Sequence, residues 1–374
     1  MHVDSLLAHA GCGADTETGD LVNPIHISTT FERDSDGSYG KDYMYSRLGN
    51  PTRHELEQIL TNLEGGDSCF TFASGMAAAC AILQSVEAGS TVLLPHDVFH
   101  GIPKAILNTP GLSVDTRFVD YRDHRDLDDA IARKPRLVWV ETPSNPMLRV
   151  TDVRMVAEKA HSVGARVVVD GTWTTPLIQR PLELGADVVF HSITKYLSGH
   201  ADVLGGAVIC RAGSELGQRL EQIQQLGGSV LDPFSCWLTM RSLRTLPVRL
   251  KRHCDNADAI AGVLVKHPRV SVVHFPGLPD HSGNSFIGSQ MSRGGAMISF
   301  QVGELESDPA PAMKVAAATR LIRRATSLGS TESLIEHRAS MEGSVTMTPQ
   351  NLLRLSVGLE DPEDLIADLL QALS

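Results

Sequence analysis

Between residues 52 and 210, short apolar runs alternate with amphipathic stretches, and few folds accept that rhythm. Cys69-Phe70-Thr71-Phe72, Thr91-Val92-Leu93-Leu94, Leu137-Val138-Trp139-Val140, Val167-Val168-Val169, Val188-Val189-Phe190 and Gly206-Ala207-Val208-Ile209 read as strands. Arg53 to Leu63 and Val153 to Val163 carry helical periodicity between them. Strands without in/out alternation are buried on both faces, which predicts an α/β fold with a mostly parallel sheet covered by helices. Residues 1–51 break the pattern: rich in Gly, Thr, Ser and Asp, they predict an extended arm. After Pro233 the spacing predicts one long helix from Cys236 that continues past Pro247. Strands around Val270 to Phe275 and Ala296 to Val302 follow, then helices from Pro311 to Arg324 and after Pro362. The expected organisation is an arm (1–51), a large domain (52–235) and a smaller α/β domain (236–374).

A chain of 374 residues suits two domains at roughly 100 to 200 residues each. With 33 Lys and Arg against 44 Asp and Glu, the formal net charge is −11, which gives no basic footprint for nucleic acid. No run approaches the roughly 20 apolar residues of a membrane span, and the N-terminus has no signal-like apolar stretch. The six cysteines are scattered, with no CxxC pair, and read as reduced thiols of a cytoplasmic protein without a metal site.

Lys195 stands in His191-Ser192-Ile193-Thr194-Lys195-Tyr196-Leu197-Ser198-Gly199-His200, behind hydroxyls at Thr194 and Ser192. Upstream, Asp170 ends the apolar run Arg166-Val167-Val168-Val169-Asp170. A pyridoxal phosphate enzyme needs these groups: an amine for the Schiff base, hydroxyls for phosphate and a carboxylate to hold the protonated pyridine nitrogen. The plainer alternative is a surface lysine after a buried strand. In Phe72-Ala73-Ser74-Gly75-Met76-Ala77, a helix opens after a strand. Gly75 and Met76 could hold an anion on backbone N–H groups, or simply ease a helix start. Arg47 in Tyr45-Ser46-Arg47-Leu48-Gly49-Asn50-Pro51-Thr52 suits bidentate phosphate recognition, or a solvated turn. Arg354 lies in the apolar run Leu352-Leu353-Arg354-Leu355-Ser356-Val357-Gly358-Leu359-Glu360, where a guanidinium needs a partner such as Glu360 or another internal acid.

Together with Glu141-Thr142-Pro143-Ser144-Asn145-Pro146, these motifs resemble the Cys/Met metabolism (transsulfuration) family of pyridoxal phosphate enzymes over nearly the whole chain. The resemblance implies an aspartate-aminotransferase-like (fold type I) α/β transferase with pyridoxal 5'-phosphate as cofactor. It implies that Lys195 carries the cofactor and moves protons, and that Asp170 meets the ring nitrogen. Gly75, Met76, Ser192 and Thr194 hold the phosphate, and Asn145 contacts the phenolic oxygen. Tyr45 and Arg47 reach the site of a neighbouring subunit, so a homodimer is the active unit and a homotetramer is expected. Arg354 clamps the substrate α-carboxylate, and Ser327 and Thr326 lie on the substrate side.

The chain departs from that family pattern at the substrate end. Phe99 stands where a tyrosine usually stacks on the cofactor ring, and it carries no proton. His100, in place of a glycine, either takes over proton transfer or points to solvent and leaves elimination to Lys195. Thr326 replaces the glutamate that often meets the distal amino group of cystathionine. Glu336-His337-Arg338-Ala339-Ser340-Met341-Glu342-Gly343 lacks the usual proline and Thr-His pair, which implies altered substrate-side architecture. The expected function is a C–S lyase performing γ-elimination on a sulfur amino acid, giving thiol, 2-oxo acid and ammonia. The alternatives are γ-replacement on an O-acyl homoserine and a non-catalytic relative that kept the fold.

Overall fold

The apolar runs of the first half pair into one seven-stranded sheet in the computed structural model, which describes residues 2–13, 18–212, 214–304, 306–342 and 348–374. Its strands are β1 (Ser68–Phe72), β2 (Thr91–Pro95), β3 (Asp115–Val119), β4 (Leu137–Glu141), β5 (Arg166–Asp170), β6 (Val188–Ser192) and β7 (Gly206–Cys210). Their order is β1-β7-β6-β5-β4-β2-β3. Strands β6, β5, β4, β2 and β3 run parallel, while β7 is antiparallel to both of its neighbours. Helices cover both faces, so Leu137, Val138, Trp139 and Val140 of β4 are all fully buried. That explains the missing alternation. Strand β3 escaped the sequence reading because it is an edge strand, half exposed and carrying Asp115 and Arg117.

A second sheet contains β8 (Val270–His274), β9 (Met297–Val302), β10 (Arg323–Arg324), β11 (Leu334–His337) and β12 (Leu352–Ser356), in the order β10-β11-β12-β9-β8. Two sequence expectations need correction here. The long helix through Pro247 is two helices, Pro233–Leu243 and Leu246–Leu264. Pro247 falls in the first turn of the second, where its missing N–H costs nothing. The helix expected over Pro311 to Arg324 ends at Ala318, and Arg323–Arg324 pairs with β11 instead. The Asp368 carboxylate accepts from the backbone N–H groups of Arg320, Leu321 and Ile322, satisfying donors that a continued helix would have used.

The arm is not wholly extended, because Val3–Ala8 is helical and buries Leu7. Beyond it, Leu21 is 74 % exposed and Ile27 78 %, apolar surface that this chain alone leaves in water. Among the described residues no helix is long and apolar enough to cross a membrane, no His/Cys/Asp/Glu group could hold a metal, and all six cysteines are unpaired.

Candidate active site

The C-terminal ends of parallel strands leave a crevice in an open α/β sheet. Here the ends of β4, β5 and β6 open into a cavity of about 350 Å³ that the second sheet closes with Arg354 from β12. Every site residue expected from the sequence lines it except Tyr45 and Arg47. Ser299 of β9 ties the two sheets together, its hydroxyl donating to the Pro146 carbonyl at 2.7 Å.

Lys195 follows β6, and its backbone N–H bonds the Ser192 carbonyl at 3.1 Å. Its Nζ donates to Ser327 Oγ at 2.7 Å. Burial first, and then the Arg354 cation, pull the amine down to about 8. A lysine in that range keeps an appreciable neutral fraction near neutral pH, which a nucleophile or proton acceptor requires. Ser327 holds φ at 96°, unusual for a residue with a side chain, and strain of this kind concentrates where chemistry fixes the backbone. The next glycine, Gly329, permits the approach: a Cβ there would come 2.7 Å from Tyr196 N.

Glu141 and Asp170 end adjacent parallel strands and stand in register, both buried. Two carboxylates so placed cannot both ionise readily. Burial raises both, and Glu141 well above the usual range. Asp170 accepts the Thr172 N–H at 2.9 Å and faces His191 and Lys195, which offset part of its burial. The shared proton therefore sits on Glu141 and the negative charge on Asp170.

At the other end of the cavity Ser74 caps the helix Gly75–Gln84, accepting from the Ala77 N–H at 3.0 Å. A Cβ on Gly75 would lie 2.9 Å from Ser192 Oγ, so only glycine lets the helix start and Ser192 converge. Thr194 is held by Gly205, whose N–H donates to its hydroxyl at 3.0 Å. Helix N–H groups and a hydroxyl at one end, with a buried carboxylate and a lysine amine in the same cavity, fit pyridoxal phosphate as a donor set.

The substrate side holds the least expected arrangement. Glu336 stands directly across from Arg354 on β11, and the two pair at 2.6 Å. Glu360, the carboxylate named from the sequence, instead accepts from the Ser333 N–H and hydroxyl. Arg354 also donates to Asn145 Oδ1 at 2.9 Å and to the Ser327 carbonyl at 3.1 Å. Its guanidinium lies 5.8 Å from the Trp173 ring. Arg338 was not anticipated as a site residue. It is buried, pairs with Glu336 at 3.3 Å and Glu342 at 3.0 Å, and donates to His100 Nδ1 at 3.1 Å. The only sequence signal was that the stretch 336–343 lacks the proline expected from the family resemblance. Gly343, the last residue of that stretch, lies outside the described residues. Phe99 is fixed by its N–H, which donates to Glu141 at 2.7 Å, and its ring sits 4.7 Å from that of His100.

Tyr45 and Arg47 lie together away from this cavity, the Arg47 guanidinium 5.7 Å from the Tyr45 ring and bonded to the Gln225 carbonyl. Tyr45 is half exposed.

The model of the Cys/Met metabolism PLP-dependent enzyme family matches residues 4–374. The chain belongs to that family. Its fold is fold type I, its cofactor is pyridoxal 5'-phosphate (PLP), and it is an enzyme of transsulfuration chemistry acting on small amino-acid substrates. It is similar to a cystathionine beta-lyase of Coxiella burnetii, 40 % identical with 100 % of this chain and 98 % of the relative covered. A cystathionine gamma-synthase of Mycobacterium tuberculosis is 43 % identical, with 98 % of this chain and 95 % of the relative covered. Among solved structures, cystathionine gamma synthase of Xanthomonas oryzae, in complex with aminoacrylate and cysteine, superposes with a TM-score of 0.94 at 40 % identity. That match covers 100 % of this chain and 98 % of the other. Lyase and synthase chemistry both fit this family membership.

Proposed function

We propose that the chain is a C–S lyase performing γ-elimination on a sulfur amino acid with an uncharged distal group, releasing thiol, 2-oxo acid and ammonia. The observation that carries the reading is a buried lysine amine at about 8 in one cavity with a buried guanidinium. PLP, when bound, supplies an electron sink for the carbanion that forms at the substrate α-carbon. Lys195 would hold the cofactor, then take the α-proton and later a proton at the β-carbon. Asp170, kept anionic beside a protonated Glu141, would hold positive charge at the ring nitrogen. Gly75, Met76, Ser192 and Thr194 would hold the phosphate, Asn145 the phenolic oxygen, and Phe99 would stack on the ring. Arg354 would clamp the α-carboxylate, and Thr326, carrying no charge, favours methionine or homocysteine over cystathionine.

A second reading, γ-replacement on an O-acyl homoserine, draws support from Phe99. A carboxylate leaving group needs no acid, and Phe99 offers none. Measuring 2-oxo acid release from methionine, homocysteine, cystathionine and cysteine, beside thiol addition to O-acyl homoserines, separates them. Fast replacement without oxo acid release would overturn the lyase reading.

The active unit is a homodimer, itself paired into a tetramer, in the cytoplasm. The exposed apolar arm and the distance of Tyr45 and Arg47 from their own cavity support a site completed by a second copy. An inactive Arg47→Ala chain mixed with an inactive Lys195→Ala chain should regain activity, since one site of the mixed dimer keeps both residues. The arm, residues 52–235 and residues 236–374 act as its three parts.

A further inference from the structure

The cluster that joins the carboxylate clamp to His100 has no counterpart in the roles assigned so far. His100 lines the cavity, its ring 4.7 Å from that of Phe99, the residue proposed to stack on the cofactor ring. Arg338 Nη2 lies 3.1 Å from His100 Nδ1. A guanidinium has only donors, so Nδ1 must accept, and the single ring hydrogen of His100 must sit on Nε2. Arg338 cannot easily turn away. It is 2 % exposed, its Nε and Nη2 hold Glu342 at 3.1 and 3.0 Å, and its Nη1 holds Glu336 at 3.3 Å. The other oxygen of Glu336 is bonded to Arg354 at 2.6 Å. The four charges of Arg354, Glu336, Arg338 and Glu342 thus balance within one buried chain that ends on the imidazole.

We propose that Arg338 is a positioning residue: it pins His100 in the Nε2–H tautomer, so that His100 meets the departing sulfur as a fixed hydrogen-bond donor and not as a proton carrier. Protonating Nδ1 would set an N–H against the Arg338 N–H, cation against cation. The charged groups around the ring are Arg338 and Lys104, which oppose a third cation, and Glu336 and Glu342, which favour one; burial first, then Arg338, leave His100 below the ordinary histidine range. A neutral imidazole does not give up its remaining proton at working pH, so Nε2–H stays in place. When the C–S bond breaks, its electron pair leaves with sulfur, the thiolate accepts the Nε2–H bond, and its proton comes from water after release. The site then prefers leaving groups that can depart as anions. This role rests on the lyase reading above.

The test uses the PLP-loaded enzyme labelled with ¹⁵N-histidine, with His100→Gln to identify the resonance. Long-range proton–nitrogen spectra of the wild type should show His100 as the Nε2–H tautomer, titrating below the usual value of about 6.5. In Arg338→Met the tautomers should mix and the titration move upward. In that variant kcat should fall roughly 10- to 100-fold, the worth of one hydrogen bond to a charged group, with KM little changed. Arg338→Lys, which keeps the charge beside Glu336 and Glu342, should recover part of the rate. A wild-type His100 that is charged or Nδ1–H at neutral pH overturns the proposal, and that spectrum needs no variant to fold. Unchanged tautomer and titration in Arg338→Met would overturn it as well. Absence of oxo acid from every sulfur amino acid would sink the lyase reading alone, and the spectra would still decide the role of Arg338.

Discussion

The two ends of the cavity are built in different ways. The cofactor end comes from the termini of three parallel strands in one mixed sheet: Glu141, Asp170 and Ser192 close β4, β5 and β6, and the hydrogen-bonded register sets their spacing. The substrate end is assembled from parts far apart in the chain, with His100 next to Phe99, Glu336 and Arg338 around β11, and Arg354 on β12. A site divided in this way can keep its cofactor chemistry while its substrate contacts are rebuilt. Arg338 and His100 both belong to that second end.

The largest expected effect tests the cofactor end. Lys195→Ala should abolish turnover and the visible absorbance of bound cofactor, because Lys195 is proposed to supply both the amine and the α-proton acceptor. A variant that keeps the absorbance and turns over would break the division described above. Asp170→Asn should retain cofactor and lose most activity, since an amide cannot balance charge at the ring nitrogen. Near-normal kcat in that variant would remove the electrostatic role of β5.

A smaller effect concerns pH. Lys195 is held near 8, and if it forms the Schiff base as proposed, only its neutral form can attack the cofactor aldehyde. Below that value the neutral fraction falls about tenfold per pH unit, so loading of PLP onto apoprotein should slow as pH drops through 8 and level off above it. Stopped-flow absorbance after adding PLP would check this. A rate that keeps rising about tenfold per pH unit from pH 8 to about 10, without levelling off, would mean that burial does not lower the amine.

How much of this was legible in the sequence follows the same division. Strands β4, β5 and β6 announced themselves as unbroken apolar runs, and with them came Asp170, Ser192 and Lys195 at their ends. Strand β3 did not, because an edge strand with one face in water keeps its Asp115 and Arg117. Arg354 was visible as a cation in an apolar run, but its partner was not. Glu336 and Glu360 were both available, and the cross-strand register of β11 with β12 selects Glu336. Arg338 showed only as a departure from a family pattern. Its meaning depends on a contact with His100 across 238 positions of chain, which no local spacing reveals.

The finest test separates two carboxylates that look alike. Glu141 and Asp170 are both buried at strand ends, and burial raises both, Glu141 further, because the Thr172 donors and the His191 and Lys195 charges offset more of it at Asp170. If the shared proton sits on Glu141, then Glu141→Gln replaces a neutral acid with a neutral amide of nearly the same shape. Its oxygen can still accept the Phe99 N–H, so neither the charge nor the hydrogen bond is lost. Stability should change by less than about 1 kcal/mol, the usual worth of one retained hydrogen bond, and kcat should stay within roughly tenfold of wild type. If instead the charge resides on Glu141 and balances the ring nitrogen from there, the same substitution removes it. Turnover would then fall as far as in Asp170→Asn, and the difference between the two strand ends would vanish.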